Sequence, residues 1–233
     1  MFLKEIKEIL SLKNPLFNSE KNNQHLKSIE EIVGEYIFTE DNFIKMILIF
    51  LRIRENIPVI TMGDTGCGKT SLIRKLSELI NNGESKMRIL DIHAGIVDQE
   101  IVEFLFGDKI KIPSIIKEAE KLEREEEENR KSYEQKGLVY NKKKLWIFLD
   151  GINNCNCMGL ICEIMTKNSC QGIPLPKNLV FIGACNPYRM VTKTEEPNGL
   201  KLEGAKEKKL VYTVNPLPHS LLNFVINFGN KKY

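Results

Sequence analysis

The run Gly63-Asp64-Thr65-Gly66-Cys67-Gly68-Lys69-Thr70 fills the pattern G-x-x-x-x-G-K-[ST] at every position, and nothing else in the chain constrains its fold so tightly. Ahead of it, Pro58-Val59-Ile60-Thr61-Met62 is short, apolar and β-branched, as expected of a strand buried on both faces of a parallel sheet. Behind it, Ser71 to Ile80 carries Leu72, Ile73, Leu76, Leu79 and Ile80 at helical spacing and stops at Asn81-Asn82-Gly83. A strand, a glycine-rich turn and a helix in that order suit a polyphosphate. The glycines let backbone N–H groups wrap the anion in conformations that a β-carbon obstructs, and the positive end of the helix faces it. The expected binding residues are Gly63, Asp64, Thr65, Gly66, Cys67, Gly68, Lys69, Thr70 and Ser71. Lys69 would reach the β- and γ-phosphates of ATP, and the Thr70 hydroxyl would ligate magnesium.

The rest of the chain repeats the alternation. Met87–Ile92, Leu145–Leu149, Leu179–Cys185 and Leu210–Val214 read as further strands, and Gln99–Phe106, Met158–Met165 and Leu221–Phe228 as helices. Strands alternating with helices predict an α/β fold with a parallel sheet, whose ligands bind at the carboxyl ends of the strands. Residues 1–57 read as a helical lead-in: MFLKEIKEIL is amphipathic, and Thr39-Glu40-Asp41-Asn42 offers caps for a helix with Phe43, Ile44, Met46, Ile47, Phe50 and Leu51 on its apolar face. Residues 58–229 are the expected nucleotide-binding core. Within it, residues 117–136 are dense in Glu, Lys and Arg and read as a solvated helix or charged insertion.

A second half of the site follows from the strand tips. Asp150 closes the apolar strand Leu145–Leu149, where a carboxylate completes a magnesium site beside Thr70. A hydrolysing site of this kind needs a base beside that Asp to orient water, but the next residue is Gly151. Its absence would lower the rate by about 10²- to 10⁴-fold. Gly151→Glu is therefore expected to raise turnover if the remaining site is intact. Glu163 lies further on, on an apolar helix, and is expected to face solvent or a neighbouring subunit. Asn186 ends the next apolar strand, where its side chain could hydrogen-bond the γ-phosphate or the lytic water; turn formation ahead of Pro187 is the plainer explanation of the same residue.

Composition excludes more than it identifies. With 34 Lys+Arg against 31 Asp+Glu, a net charge of +3 gives no electrostatic reason to expect a nucleic-acid partner. The longest greasy segment, Phe43–Ile53, is interrupted by Lys45 and Arg52 and is too short to span a bilayer. Lys4, Glu5, Lys7 and Glu8 interrupt the N-terminus where an export signal would be apolar, so the six cysteines are expected as reduced thiols in a cytoplasmic protein. Cys155 and Cys157 form a C-x-C pair with no second ligand pair to complete a zinc site.

The stretches GDTGCGKTSLIRKLSELI, LWIFLDGINNCNCMGLICEIM, FIGACNPYR and LVYTVNPLPHSLLNFVINFG together resemble the AAA+ modules of the mysterin family, giant RING-type E3 ubiquitin ligases, from about Tyr36 to Gly229. The resemblance implies a P-loop NTPase fold corresponding to the AAA+ large subdomain, with Lys69 and Thr70 on the nucleotide, Asp150 on magnesium and Asn186 as the sensor residue. It also matches Asn153 to an Asn that follows the acidic pair in those modules. Competent members carry Asp-Glu where this chain has Asp150-Gly151, and no RING pattern accompanies the motifs. Too little chain follows Asn186 for a complete helical lid, which is expected to be absent or vestigial. Arg189 is open to two readings, an arginine finger reaching a neighbouring subunit or a surface loop residue. The implied partners are ATP and other AAA+ modules or proteins.

Overall fold

The computed structural model describes residues 31–32, 34–81, 87–107, 113–135, 144–188 and 214–229. Arg189 and residues 210–213 of the expected fifth strand lie outside these residues, and Val214 stands in no strand. Helix α1 (Glu40–Arg54) starts at Thr39, whose hydroxyl accepts the Asn42 N–H at 3.2 Å. Strand β1 (Val59–Met62) and helix α2 (Lys69–Ile80) flank the glycine-rich loop. Then come β2 (Met87–Asp91), α3 (Asp98–Phe106), α4 (Ile115–Gln135), β3 (Leu145–Asp150), a 3-10 turn at Ile152–Asn154 and α5 (Met158–Lys167). A small antiparallel hairpin, β4 (Ser169–Cys170) with β5 (Ile173–Pro174), leads into β6 (Leu179–Cys185). The chain continues from Val214 through α6 (His219–Leu222) to β7 (Val225–Asn227).

The main sheet has the order β2-β3-β6-β1-β7, and every pair is parallel. Successive residues of a strand point to opposite faces. In β3, Leu145, Ile147 and Leu149 enter one core with Ile101, Leu105, Ile116 and Ile161 of the helices on that face. Trp146 and Phe148 enter the other, with Phe43, Met46 and Ile49 of α1 and Leu72, Ile73 and Leu76 of α2. Helices thus cover both faces, which explains why the strands read as continuous apolar runs rather than alternating ones. Residues 117–135 of the charged stretch belong to α4, whose opening residues Ile115, Ile116 and Ala119 are buried in the first core, and Lys136 lies outside the described residues.

The segment expected as a helix over Leu221–Phe228 divides into α6 and β7. Two apolar residues and an asparagine have no decisive period of their own. The open edge of β1 decides their conformation: Ile60, Thr61 and Met62 register against Val225, Ile226 and Asn227. Among the described residues, the chain after Asn186 forms only α6 and β7, and no helix is long and apolar enough to cross a membrane.

Lys144 stitches α1 to the sheet from far along the chain. Its ammonium donates to Ile53 O at 2.5 Å, Arg54 O at 2.8 Å and Asn56 Oδ1 at 2.7 Å, placing a cation on the negative end of α1. Lys144→Ala is expected to lower the unfolding free energy by about 1–2 kcal/mol, read as a lower urea midpoint at unchanged slope.

Candidate nucleotide site

Three strand tips form one carboxyl edge. Met62 registers against Cys185, and Asp150 against Ala184, so the start of the glycine loop, Asp150 and Asn186 emerge on adjacent parallel strands. The loop is pinned as it leaves β1: Gly63 N–H donates to Cys185 O at 3.2 Å, and Phe228 N–H donates to Met62 O at 2.6 Å. A β-carbon at Gly63 would lie 2.7 Å from Cys67 Sγ and 2.9 Å from Phe228 Cβ, so closeness requires glycine there. Gly68 has open space around it but a φ of +89°, so backbone conformation requires it instead.

Gly68 is also the N-cap of α2. No side chain caps that end, and the first turn carries no acidic residue. In α1 the corresponding positions hold Thr39, Glu40 and Asp41. The positive end of α2 therefore keeps N–H groups available to an anion, the arrangement a phosphate needs. Lys69 is only 8% exposed and folds back over the loop, donating to Gly63 O at 2.7 Å and Asp64 O at 3.0 Å. Phosphate oxygens placed in the loop would compete with those carbonyls for the same ammonium. Asp64 is buried, Thr65, Gly66 and Ser71 are exposed, and Cys67 is half-buried.

The Thr70 hydroxyl donates to Asp150 Oδ2 at 3.1 Å, joining the two residues read from the sequence as a magnesium pair. Two oxygens brought together beside the open end of α2 suit a hard divalent cation, and the donor set fits magnesium. Cys185, at the tip of β6, is buried, and burial pushes its thiol up to about 12 despite the opposing pull of the Lys69 charge. It stays protonated and is no nucleophile at neutral pH.

Gly151 has φ +82°, and its N–H donates to Ala184 O at 2.9 Å. A β-carbon there would stand 2.7 Å from Ile92 O and 2.5 Å from Asn154 Nδ2. This geometry opposes the expected gain from Gly151→Glu: a side chain at this position has neither a favourable backbone conformation nor room for its β-carbon. Glu163 is engaged elsewhere. Its Oε1 accepts Gly172 N–H at 2.7 Å and the Ser169 hydroxyl at 2.9 Å, contacts that hold its carboxyl below the usual range and tie α5 to the β4–β5 hairpin.

Asn186 lies just beyond Cys185 and is half-buried, and no described residue hydrogen-bonds its side chain. Its backbone is held by Asn153, a buried residue that the sequence pattern alone did not place in this contact. Asn153 Nδ2 donates to Asn186 O at 2.9 Å, and its Oδ1 accepts Asn186 N–H at 3.3 Å.

Sheet order, an uncapped helix behind a glycine loop and the Thr70–Asp150 contact define an AAA+ core of the P-loop class. A family profile described as the RNF213 AAA domain matches residues 36–189. Over 213 residues, 83% of this chain, the sequence is 34% identical to E3 ubiquitin-protein ligase rnf213-beta of Danio rerio and 31% identical to E3 ubiquitin-protein ligase RNF213 of Homo sapiens. The chain spans 4% of the length of those relatives. A crystal structure of NtrX from Brucella abortus in complex with ADP superposes with a TM-score of 0.37 at 12% identity, over 66% of this chain and 31% of that one, too loose a match to inform the site. The chain belongs to the RNF213 (mysterin) AAA-domain family and is an AAA module of the nucleotide-binding class.

Proposed function

We propose that this module binds ATP with magnesium and holds it, with little or no hydrolysis of its own. The observation that carries the reading is the Thr70–Asp150 hydrogen bond, set beside an uncapped helix end and a lysine already inside the loop. In this reading the N–H groups at the start of α2 receive the phosphate oxygens, and Lys69 exchanges two carbonyl acceptors for the β- and γ-phosphates. Thr70 and Asp150 are the residues that would hold magnesium, which when bound supplies positive charge against the phosphates. Asn186 presents its carboxamide toward the γ-phosphate from the neighbouring strand. Gly151 contributes no base, and its crowding by Ile92 O and Asn154 favours a holding site over a hydrolysing one.

A cytoplasmic module acting beside other AAA+ modules, as a piece of a larger mysterin-like ligase, fits the 4% share of its relatives that it spans. Ubiquitin transfer would then belong to other parts of such a protein, since these residues hold no RING pattern. Calorimetric titration of the chain with Mg-ATP is expected to show saturable binding and a higher melting temperature, with phosphate release at the no-protein background. No heat and no thermal shift at saturating nucleotide would refute ATP binding. Release above background that disappears in Lys69→Ala would instead establish an ATPase.

A further inference from the structure

The geometry points to Asn153 as the positioning residue that sets the aim of Asn186, an inference that rests on the ATP-binding reading above. Asn153 is 1% exposed, and a buried carboxamide is stable only when hydrogen-bonded. It uses both faces of its amide on one neighbour, donating to Asn186 O at 2.9 Å and accepting Asn186 N–H at 3.3 Å. The peptide planes on either side of the Asn186 Cα are thereby held, and with them the direction of its Cα–Cβ bond. Pro187 narrows the backbone of Asn186 further, because its ring disfavours the helical region for the residue before it and biases that residue toward extended backbone. The Asn186 side chain, with no partner of its own among the described residues, inherits its direction from this clasp.

The clasp has a third arm. Asn153 Nδ2 also donates to Asn215 O at 3.3 Å, and Asn215 N–H donates to Asn153 O at 2.8 Å. Asn215 Nδ2 donates in turn to Cys155 O at 3.0 Å. The 3-10 turn after Asp150, the tip of β6 and the segment entering α6 therefore meet on one side chain. Asn153 lies three residues beyond Asp150, so the turn following the magnesium-side carboxylate and the residue facing the γ-phosphate are held in a fixed relation.

The test compares affinities of the full chain for Mg-ATPγS and Mg-ADP in the wild type, Asn186→Ala, Asn153→Ala and the double variant. The ratio isolates γ-phosphate recognition, and a merely structural role would weaken both nucleotides alike. Asn186→Ala is expected to lower the preference for the triphosphate by on the order of tenfold, as for loss of a hydrogen bond to a charged group. Asn153→Ala is expected to reproduce most of that loss with ADP affinity kept, and the double variant to lose no more than Asn186→Ala. Asn153→Asp, equal in size but opposing a carboxylate to the Asn186 and Asn215 carbonyls, is expected to lower the ratio too and serves if the truncation unfolds the chain. A ratio that falls in Asn186→Ala but stays at the wild-type value in both Asn153 variants would overturn the positioning role alone, as would equal loss of ADP and ATPγS. A wild type that binds neither nucleotide would bring down the ATP reading and this inference with it.

Discussion

Gly151→Glu is expected to destabilise the protein without creating a base. A non-glycine residue at φ +82° costs about 1–3 kcal/mol. The β-carbon also meets Ile92 O, a backbone atom that cannot rotate away. Together these effects should remove about 3 kcal/mol or more, a drop of roughly 6 to 12 °C in melting temperature for a chain this long. Gly151→Ala should show most of the same loss, because the β-carbon alone makes the collision. Scanning calorimetry with a phosphate-release assay separates the outcomes. A melting temperature near the wild type, accompanied by new turnover, would show that the turn after Asp150 can re-form around a side chain.

Lys69→Ala is expected to weaken Mg-ATP binding by about 100-fold or more, since the ammonium would make more than one charge-assisted contact with phosphate oxygens. ADP should suffer less, having no γ-phosphate to lose. The folded state should tolerate the change better than the binding does. Gly63 O and Asp64 O lose their donor, but the adjoining Thr65 and Gly66 are exposed, and water can reach the loop. Titration of wild type and variant with both nucleotides measures the effect, and equal affinities for Mg-ATP would exclude Lys69 from the site.

The parts of this candidate site are legible in the sequence to different degrees, for reasons that differ by residue. The glycine loop is contiguous, and its conformation depends on neighbours within a few positions, so Gly63 to Ser71 could be read as a unit. Asp150 and Asn186 are far apart in the chain, but each closes an apolar run, and parallel strands place such ends on one edge. Gly151 was legible only as a missing carboxylate. That its place is crowded by Ile92 O and Asn154 depends on how the turn after β3 lies against the residues following β2. The Asn153 clasp joins residues 33 positions apart through a single amide, and no local pattern marks such a contact. Val225–Asn227 follows a helical pattern in the sequence but forms a strand, because a run of three residues takes its conformation from the strand edge it meets.

The sequence by itself determined the strand, the phosphate-type loop and the helix behind it, together with the apolar runs that become the central strands. Those choices follow from backbone freedom and periodicity, which act over a turn or two. Only the tertiary structure decided which strands are neighbours, that β7 completes the edge of β1, that Thr70 meets Asp150, and that Asn153 holds Asn186. Each of these is a distance between segments brought together by burying both faces of the sheet, and it exists only once that packing is complete.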